Sequence, residues 1–368
     1  MKIVHFTDSW RPTRDGVVTS IEAFSDELRK LGHEVHVVCP KGGVAETRYV
    51  HPISAVPLVT YPGYRLARLA PGKVKELLKK IKPDIIHVHT PMTVGISALW
   101  ASWLLRKKVI GSYHTYLPEN LRYLLGIDAK FILGSLTDLY TRLFYNRCKK
   151  IIVPSSATRK YLRRVGVKKP IEILPTGIKV VKTSAEKKKN KIPVILHVGR
   201  ISKEKSIDVI IRAFQRVLQK RKARLIITSD GPERESLEAL VKHLRLEKHV
   251  TFAGVVSEKE KYRLYKTSDV FVVASMTETQ GIVALEAMSQ GCPVIARDAM
   301  GLKDYVNRDN GIMFKTEFEL VRAILKAIED QNLRRKVIAN GHKTVAKYSI
   351  ENSTKQLIKL YEGMLEKA

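Results

Sequence analysis

Cysteine is scarce in this chain: Cys39, Cys148 and Cys292 are odd in number, scattered, and in no paired spacing. They build neither a disulfide framework nor a zinc knuckle, so a reduced, cytoplasmic protein is the expectation. Long apolar runs are missing as well, and none approaches the roughly 20 residues that span a bilayer. The opening MKIVHFTDSW lacks the apolar core of a signal peptide and reads as a first buried strand. Acidic residues are outnumbered, with 36 Asp+Glu against 66 Lys+Arg, which leaves a formal net charge of +30. Residues 1–178 hold 29 Lys+Arg against 13 Asp+Glu, hence +16, and the remainder holds +14, so the excess is global rather than a tail. Such a charge suits a nucleic acid or an anionic membrane, or reflects lysine-rich adaptation to heat.

What is present is the material of a globular protein: 368 residues, 44% hydrophobic, about two domains at the usual domain size. Short apolar runs alternate with amphipathic stretches, as in a parallel sheet wrapped by helices. Strands are expected at Lys2 to Thr7, Glu34 to Cys39, Asp84 to His89, Val109 to Tyr113, Ile151 to Pro154 and Ile171 to Leu174. Helices are expected from about Val17, at Lys73 to Ile81, around Val94 to Leu105 and at Asp138 to Cys148. Polar, lysine-heavy Lys179 to Lys191 interrupts the rhythm, which restarts with the strand Val194 to Val198 and runs to helices at Glu317 to Ile328 and Ser353 to Leu365. This gives an α/β chain of two doubly wound domains, 1–178 and 193–345, with a linker at 179–192 and a last helix in 346–368 that crosses back. A cleft is expected between them, with ligands beyond the carboxyl ends of the strands.

The segment ASMTETQGIVALEAMSQGCPV, Ala274 to Val294, concentrates the chemistry. Glu278 sits in a loop, Gly281 opens a helix, Glu286 lies about two turns inside it, and Gly291 with Pro293 stops it. Bare backbone N–H groups beside a carboxylate suit a polyhydroxyl ligand that carries negative charge. Arg200, with its planar fork, and Lys205, a compact ammonium, lie ahead of a helix for which Ser206 is a plausible N-cap, and together suit a diphosphate. Gly16, between Asp15 and Val17 at the start of the first helix, lets backbone approach phosphate, though the surroundings are not GxGxxG. His114, in SYHTYLP at the end of a strand, is expected to point into the same cleft. His87 and His89 alternate on one strand face without further ligands beside them, so no metal is expected. Any of these residues alone also reads as an ordinary surface or structural group.

In order and spacing, GRISKEKS, TSDGPER, FAGVV and SMTETQGIVALEAMSQGCPVIA resemble the donor domain of the retaining family 4 glycosyltransferases of GT-B architecture. FTDSWRPTRDGVVTSIEAFSDELRKLGHEVHVV, PDIIHVHTP and SYHTYLP resemble their acceptor domain. The TETQG and SYHT wording is similar to the enzymes that glycosylate glycerolipids, such as diacylglycerol glucosyltransferases and phosphatidylinositol mannosyltransferases. The resemblance implies two Rossmann-like domains facing across a cleft. It implies that Arg200 and Lys205 hold a donor diphosphate approached by Gly16, and that Glu278, with the backbone of Gln280, Gly281 and Ile282, binds the transferred sugar. Glu286 would bind ribose, the main chain of Val255 and Val256 the base, and His114 the sugar near the reacting centre. No cofactor is implied beyond a UDP- or GDP-hexose substrate. Ser229, where the loop usually has glycine, and Asp15, where asparagine is frequent, depart from the pattern.

For the acceptor, VPLVTYPGYRLARLAP at Val56 to Pro71 mixes apolar side chains with Arg65 and Arg68 and precedes Lys73, Lys75, Lys79 and Lys80. A basic face beside apolar side chains suits an interfacial element. Tyr61, Tyr64, Arg65, Arg68 and Thr115 are the candidates for acceptor or membrane contact, and a peripheral protein at the inner membrane face is expected. A soluble-glycan transferase and a basic nucleic-acid-binding protein remain the alternatives, although no finger spacing or aromatic-interleaved basic motif supports the latter.

Overall fold

The computed structural model describes residues 1–13, 15–42, 45–58, 64–114, 116, 130–179 and 190–366, with side chains of 130–133 excepted. Most of the expected linker, 180–189, together with Tyr61 and Thr115, lies outside the described residues. Two compact units are present, one formed by Met1–Gly177 with the stretch from Ile350, the other by Ile178–Ser349.

The first unit is built on β1 (Lys2–Phe6), β2 (Glu34–Pro40), β3 (Val50–Ile53), β6 (Ile85–Val88), β7 (Val109–Ser112), β8 (Lys150–Val153) and β9 (Ile171–Ile173). They form a parallel sheet of order β3-β2-β1-β6-β7-β8-β9. Central strands such as Ile85–Val88 are buried along their whole length, as a sheet covered on both faces requires. One face carries α2 (Pro71–Ile81), α3 (Thr93–Leu104), α4 (Lys130–Tyr145) and α5 (Ser156–Arg164), joined in one core through Val74, Leu78, Ala98, Phe144 and Leu162. The other face carries α1 (Gly16–Lys30) and α12 (Ile350–Leu365), through Phe24, Leu28, Leu357 and Tyr361. The last helix therefore completes the first unit.

In the second unit β10 (Val194–Val198), β11 (Arg224–Thr228), β12 (Val250–Gly254), β13 (Val270–Val273), β14 (Val294–Arg297) and β15 (Ile312–Phe314) form a parallel sheet of order β12-β11-β10-β13-β14-β15. It is flanked by α6 (Ile207–Leu218), α7 (Arg234–His243), α8 (Glu258–Thr267), α9 (Ile282–Ser289), α10 (Glu317–Glu329) and α11 (Gln331–Lys347). In each unit the strand order reverses once, between β1 and β6 and between β10 and β13. Loops leaving the carboxyl ends of such strand pairs are where ligands of doubly wound sheets gather.

Several elements lie outside the sequence expectation. The antiparallel pair β4 (Ala55–Pro57) and β5 (Arg65–Ala67) is only three residues a strand and contains Pro57, so it carries too little alternation to read. The strands β3 and β15 are edge strands, and α5 and α11 are strongly basic or polar helices with a thin apolar stripe. The fourth helix begins at Lys130 rather than near Asp138.

Candidate functional site

In the second unit the polar candidates leave the carboxyl edge of one sheet. After β10 the chain passes Gly199 and Arg200, makes a short 3₁₀ turn at Lys203–Lys205, and enters α6 through Ser206. Ser206 holds the N-cap position in a left-handed backbone, φ +50°, and its side chain makes no capping hydrogen bond, contrary to the expected role. After β13 comes the loop carrying Glu278. Lys205 Nζ donates to Glu278 Oε2 at 2.8 Å, and the two side chains are 23% and 17% exposed. The cation expected at a diphosphate and the carboxylate expected at a sugar thus form one ion pair at the switch point between β10 and β13.

Backbone geometry holds that pair in place. Gly281, at φ +83°, opens α9, and a Cβ there would come within 2.5 Å of Leu302 and 3.3 Å of Glu278 Cγ. Only glycine meets both demands. Gly301 donates its N–H to the Glu278 carbonyl at 2.9 Å and leaves no room for a side chain against the Thr279 carbonyl. Gln280 is buried and Ile282 begins the helix. Val255 and Val256 follow β12, with Val255 77% exposed.

Glu286 is not on a wet face. It is 4% exposed inside α9, where Oε1 accepts from Lys261 Nζ at 2.7 Å and Oε2 from the Tyr265 hydroxyl at 3.0 Å, both on α8. A carboxylate this deep needs a counter-charge and a donor, and receives both. Burial and the adjoining carboxylate push the Tyr265 hydroxyl well above its usual pKa, so it stays a donor. Beneath the Arg200 loop, His197 is bonded through Nδ1 to the Val272 carbonyl at 3.0 Å, and its buried Nε2 has no partner among the described residues. Burial lowers its pKa to about 4.

In the first unit, Asp15 caps α1, accepting from the N–H groups of Val17 and Val18 at 2.9 Å on Oδ1. Its Oδ2 accepts from the hydroxyls of Ser9 at 2.5 Å and Tyr64 at 2.8 Å. The side chain that stands where asparagine is frequent is therefore an acceptor at every one of these contacts. At Gly16 an added Cβ would meet nothing within 4 Å among the described residues, so neither backbone conformation nor their packing demands glycine there. Arg65 runs past Gly42 and has a buried Nε with no partner among the described residues, while Arg68 is exposed.

His114 belongs to a run that sequence reasoning divided. Its Nε2 lies 2.9 Å from His89 Nδ1, and His89 Nε2 lies 2.7 Å from His5 Nδ1. His87 sits beside them, bonded to the Tyr361 hydroxyl at 2.7 Å and the Ser112 hydroxyl at 2.8 Å. Burial lowers the pKa of His5 to about 3 and of His114 to about 4, and holds His87 and His89 well below 6.5. One ring nitrogen from each of His5, His87 and His89 lies within 4.8 Å of the other two. The signal for this cluster was the alternation of His87 and His89; the contribution of His5 arises only from the β1–β6 register.

Residues 181–344 match the family model described as "Glycosyl transferases group 1", and residues 14–182 match "Glycosyltransferase Family 4". The chain is similar to an alpha-monoglucosyldiacylglycerol synthase of Streptococcus pneumoniae (strain ATCC BAA-255 / R6), 30% identical over 89% of this chain and 78% of that protein. In fold it is similar to the sucrose-phosphate synthase of Thermosynechococcus elongatus, with a TM-score of 0.81, 22% identity and full coverage of both chains. It is likewise similar to Anabaena Alr3699/HepE in complex with UDP-glucose, with a TM-score of 0.78, 18% identity, and 99% and 100% of the two chains covered.

Proposed function

Since the chain belongs to glycosyltransferase family 4 and is a hexosyltransferase of the GT-B fold, we propose that it transfers glucose from UDP-glucose to diacylglycerol at an anionic membrane surface, with retention of anomeric configuration. Arg200 and Lys205 bind the diphosphate, Glu278 the sugar hydroxyls and Glu286 the ribose. Gln280, Gly281 and Ile282 add main-chain groups to the sugar, and Val255 and Val256 to the base. In the first unit Gly16 is the proposed backbone contact to phosphate and His114 the proposed contact to the sugar.

The ion pair of Lys205 with Glu278 supports the donor half of this reading. A diphosphate competes for the Lys205 ammonium, which loosens Glu278 to accept from sugar hydroxyls. Transfer breaks the bond from the anomeric carbon to the diphosphate oxygen and forms one to the acceptor oxygen, while the acceptor proton passes to the departing phosphate. Charge grows on that phosphate, so fixed cations and helix N–H groups lower the barrier most there.

The observation that carries the lipid half is a set of exposed apolar side chains on two helices of the first unit. Successive crossovers β6–α3–β7–α4–β8 step in one direction, so α3 and α4 lie side by side on one face of the sheet. Tyr140 on α4 donates to the carbonyl of Pro91, just ahead of α3. Trp100, Trp103 and Leu104 on α3 are exposed, Trp103 by 73%, as are Leu136, Leu139 and Leu143 on α4. The exposed cations Arg106, Lys107 and Lys108 follow α3, and Lys73, Lys79 and Lys80 lie on the neighbouring α2. Tryptophan with leucine, bordered by cations, is the composition that seats in a headgroup layer. Among the described residues no helix is long and apolar enough to cross a membrane.

The test is transfer of labelled glucose from UDP-glucose to vesicles of phosphatidylglycerol containing diacylglycerol, with soluble glycans and GDP-mannose as the competing acceptor and donor. Glucosyl-diacylglycerol is the expected product, formed more slowly as salt screens the anionic surface. Equal transfer to soluble glycan without vesicles refutes the lipid acceptor, and transfer from GDP-mannose alone refutes the donor.

A further inference from the structure

The buried histidines form a staircase. β1, β6 and β7 are adjacent and parallel, with His5 opposite His87 and His87 opposite Ile110. Alternation places His5, His89 and His114 on the face of Ile3, Ile85 and Ile110, which α1 and α12 cover. Each step to the next strand also moves the histidine toward the carboxyl edge of the sheet. The run therefore begins in the core at His5, which is 0% exposed, and ends at His114, on the edge where ligands of this fold bind.

A neutral imidazole has one N–H and one lone pair, so each bond between two rings uses one of each. The direction of one bond consequently sets the direction of the next: all protons lean toward His5 or all toward His114. His5 Nε2 is buried with no partner among the described residues. Leaning toward His5 would bury an unpaired N–H at that blind end, whereas leaning the other way leaves only a bare lone pair. Orphaned buried donors are rarer than under-used acceptors. His5 then donates to His89, His89 donates to His114 Nε2, and the proton of His114 resides on Nδ1.

We propose that His5 and His89 are positioning residues that lock His114 as its neutral Nδ1–H tautomer, so that it offers a hydrogen-bond donor to a hydroxyl of the transferred sugar. This rests on the role given to His114 above. His87, tied to Tyr361 and Ser112, has its ring centroid 4.0 Å from that of His89 and braces the run from the side. Both of its nitrogens are engaged in that task, which argues against a metal ion held by His5, His87 and His89. Because burial keeps these rings uncharged at neutral pH, the lock is one of tautomer and not of charge.

The test is a long-range 1H–15N correlation spectrum of the full chain with 15N-labelled histidine rings, at pH 7.5. The His114 ring is expected as Nδ1–H alone. In His89→Phe both tautomers are expected, with kcat roughly tenfold lower and the donor KM within about twofold. In His89→Asn, whose amide can still donate to His114, the single tautomer and most of kcat are expected to return. A wild-type His114 that carries its proton on Nε2, or shows both forms, overturns the proposal even if His89→Phe does not fold. An unchanged single tautomer in a folded His89→Phe overturns it as well. The spectrum needs no substrate, so a locked His114 without any hexose transfer would refute the transfer reading and leave the lock standing.

Discussion

The two units handle buried polarity in opposite ways. The second unit stores charge in pairs, Lys205 with Glu278 and Lys261 with Glu286, whereas the first keeps a run of histidines neutral. Paired charges can be redistributed when an anion arrives, which suits the diphosphate proposed for this region. Neutral, mutually bonded rings resist change and suit a region meant to orient one group. Removal from water thus serves exchangeable charge in one unit and fixed direction in the other.

Acid should break the first unit most. Folded pKa values of about 3 for His5 and about 4 for His114 lie below the reference value of 6.5, with His87 and His89 lowered as well. The unfolded chain takes up protons below pH 6.5 that the folded chain refuses. Stability is therefore full above that pH and is lost as pH falls from 6.5 toward 4, by about 1.4 kcal/mol per pH unit for each refused proton. The raised pKa of buried Asp8 acts in the opposite sense, but it is one group against the run. Denaturant melts at pH 7.5, 6 and 5 measure this, and a midpoint that does not move contradicts the neutral run.

Glu278→Gln is expected to lower kcat by roughly 100-fold or more while UDP binds at least as tightly, because Lys205 is released to the diphosphate. Wild-type turnover would remove Glu278 from the sugar site. Lys261→Met leaves the buried Glu286 carboxylate with Tyr265 alone and is expected to destabilise by about 2–3 kcal/mol in urea melts, more than removal of a surface pair.

The candidate donor site was legible because its residues cluster in the chain: Arg200 and Lys205 fall in one loop, Glu278 in another that runs into the helix holding Glu286, and glycines punctuate both. The partners of Glu286 were not legible, since Lys261 and Tyr265 sit on a different helix, 25 and 21 residues away, with no local pattern tying them to it. His5 and His89 are 84 residues apart and meet only through strand pairing. The tryptophans of α3 sit in a helix apolar on nearly all sides, which periodicity alone assigns to a core. The short β4–β5 pair escaped because three-residue strands leave no period to read.

Smaller effects are expected at the proposed membrane face and in the loop of Ser229. Replacing Trp100 and Trp103 together by serine is expected to weaken sedimentation with anionic vesicles by about tenfold without shifting the melting temperature of these exposed positions. Undiminished vesicle binding would remove these tryptophans from the proposed membrane contact. Ser229 adopts φ +77°, a conformation that suits the glycine usual in this loop. Ser229→Gly is therefore expected to stabilise by about 0.5–1 kcal/mol, and a loss of stability would mean that the serine side chain makes a compensating contact.

Whether the second unit's paired charges form the proposed nucleotide-sugar site is read from calorimetric titration of UDP-glucose into the wild type and Lys205→Ala. Saturable binding by the wild type that weakens at least tenfold in a folded Lys205→Ala is the expected result. Equal affinity in the two proteins, or a wild type that binds neither UDP-glucose nor GDP-mannose, would contradict it.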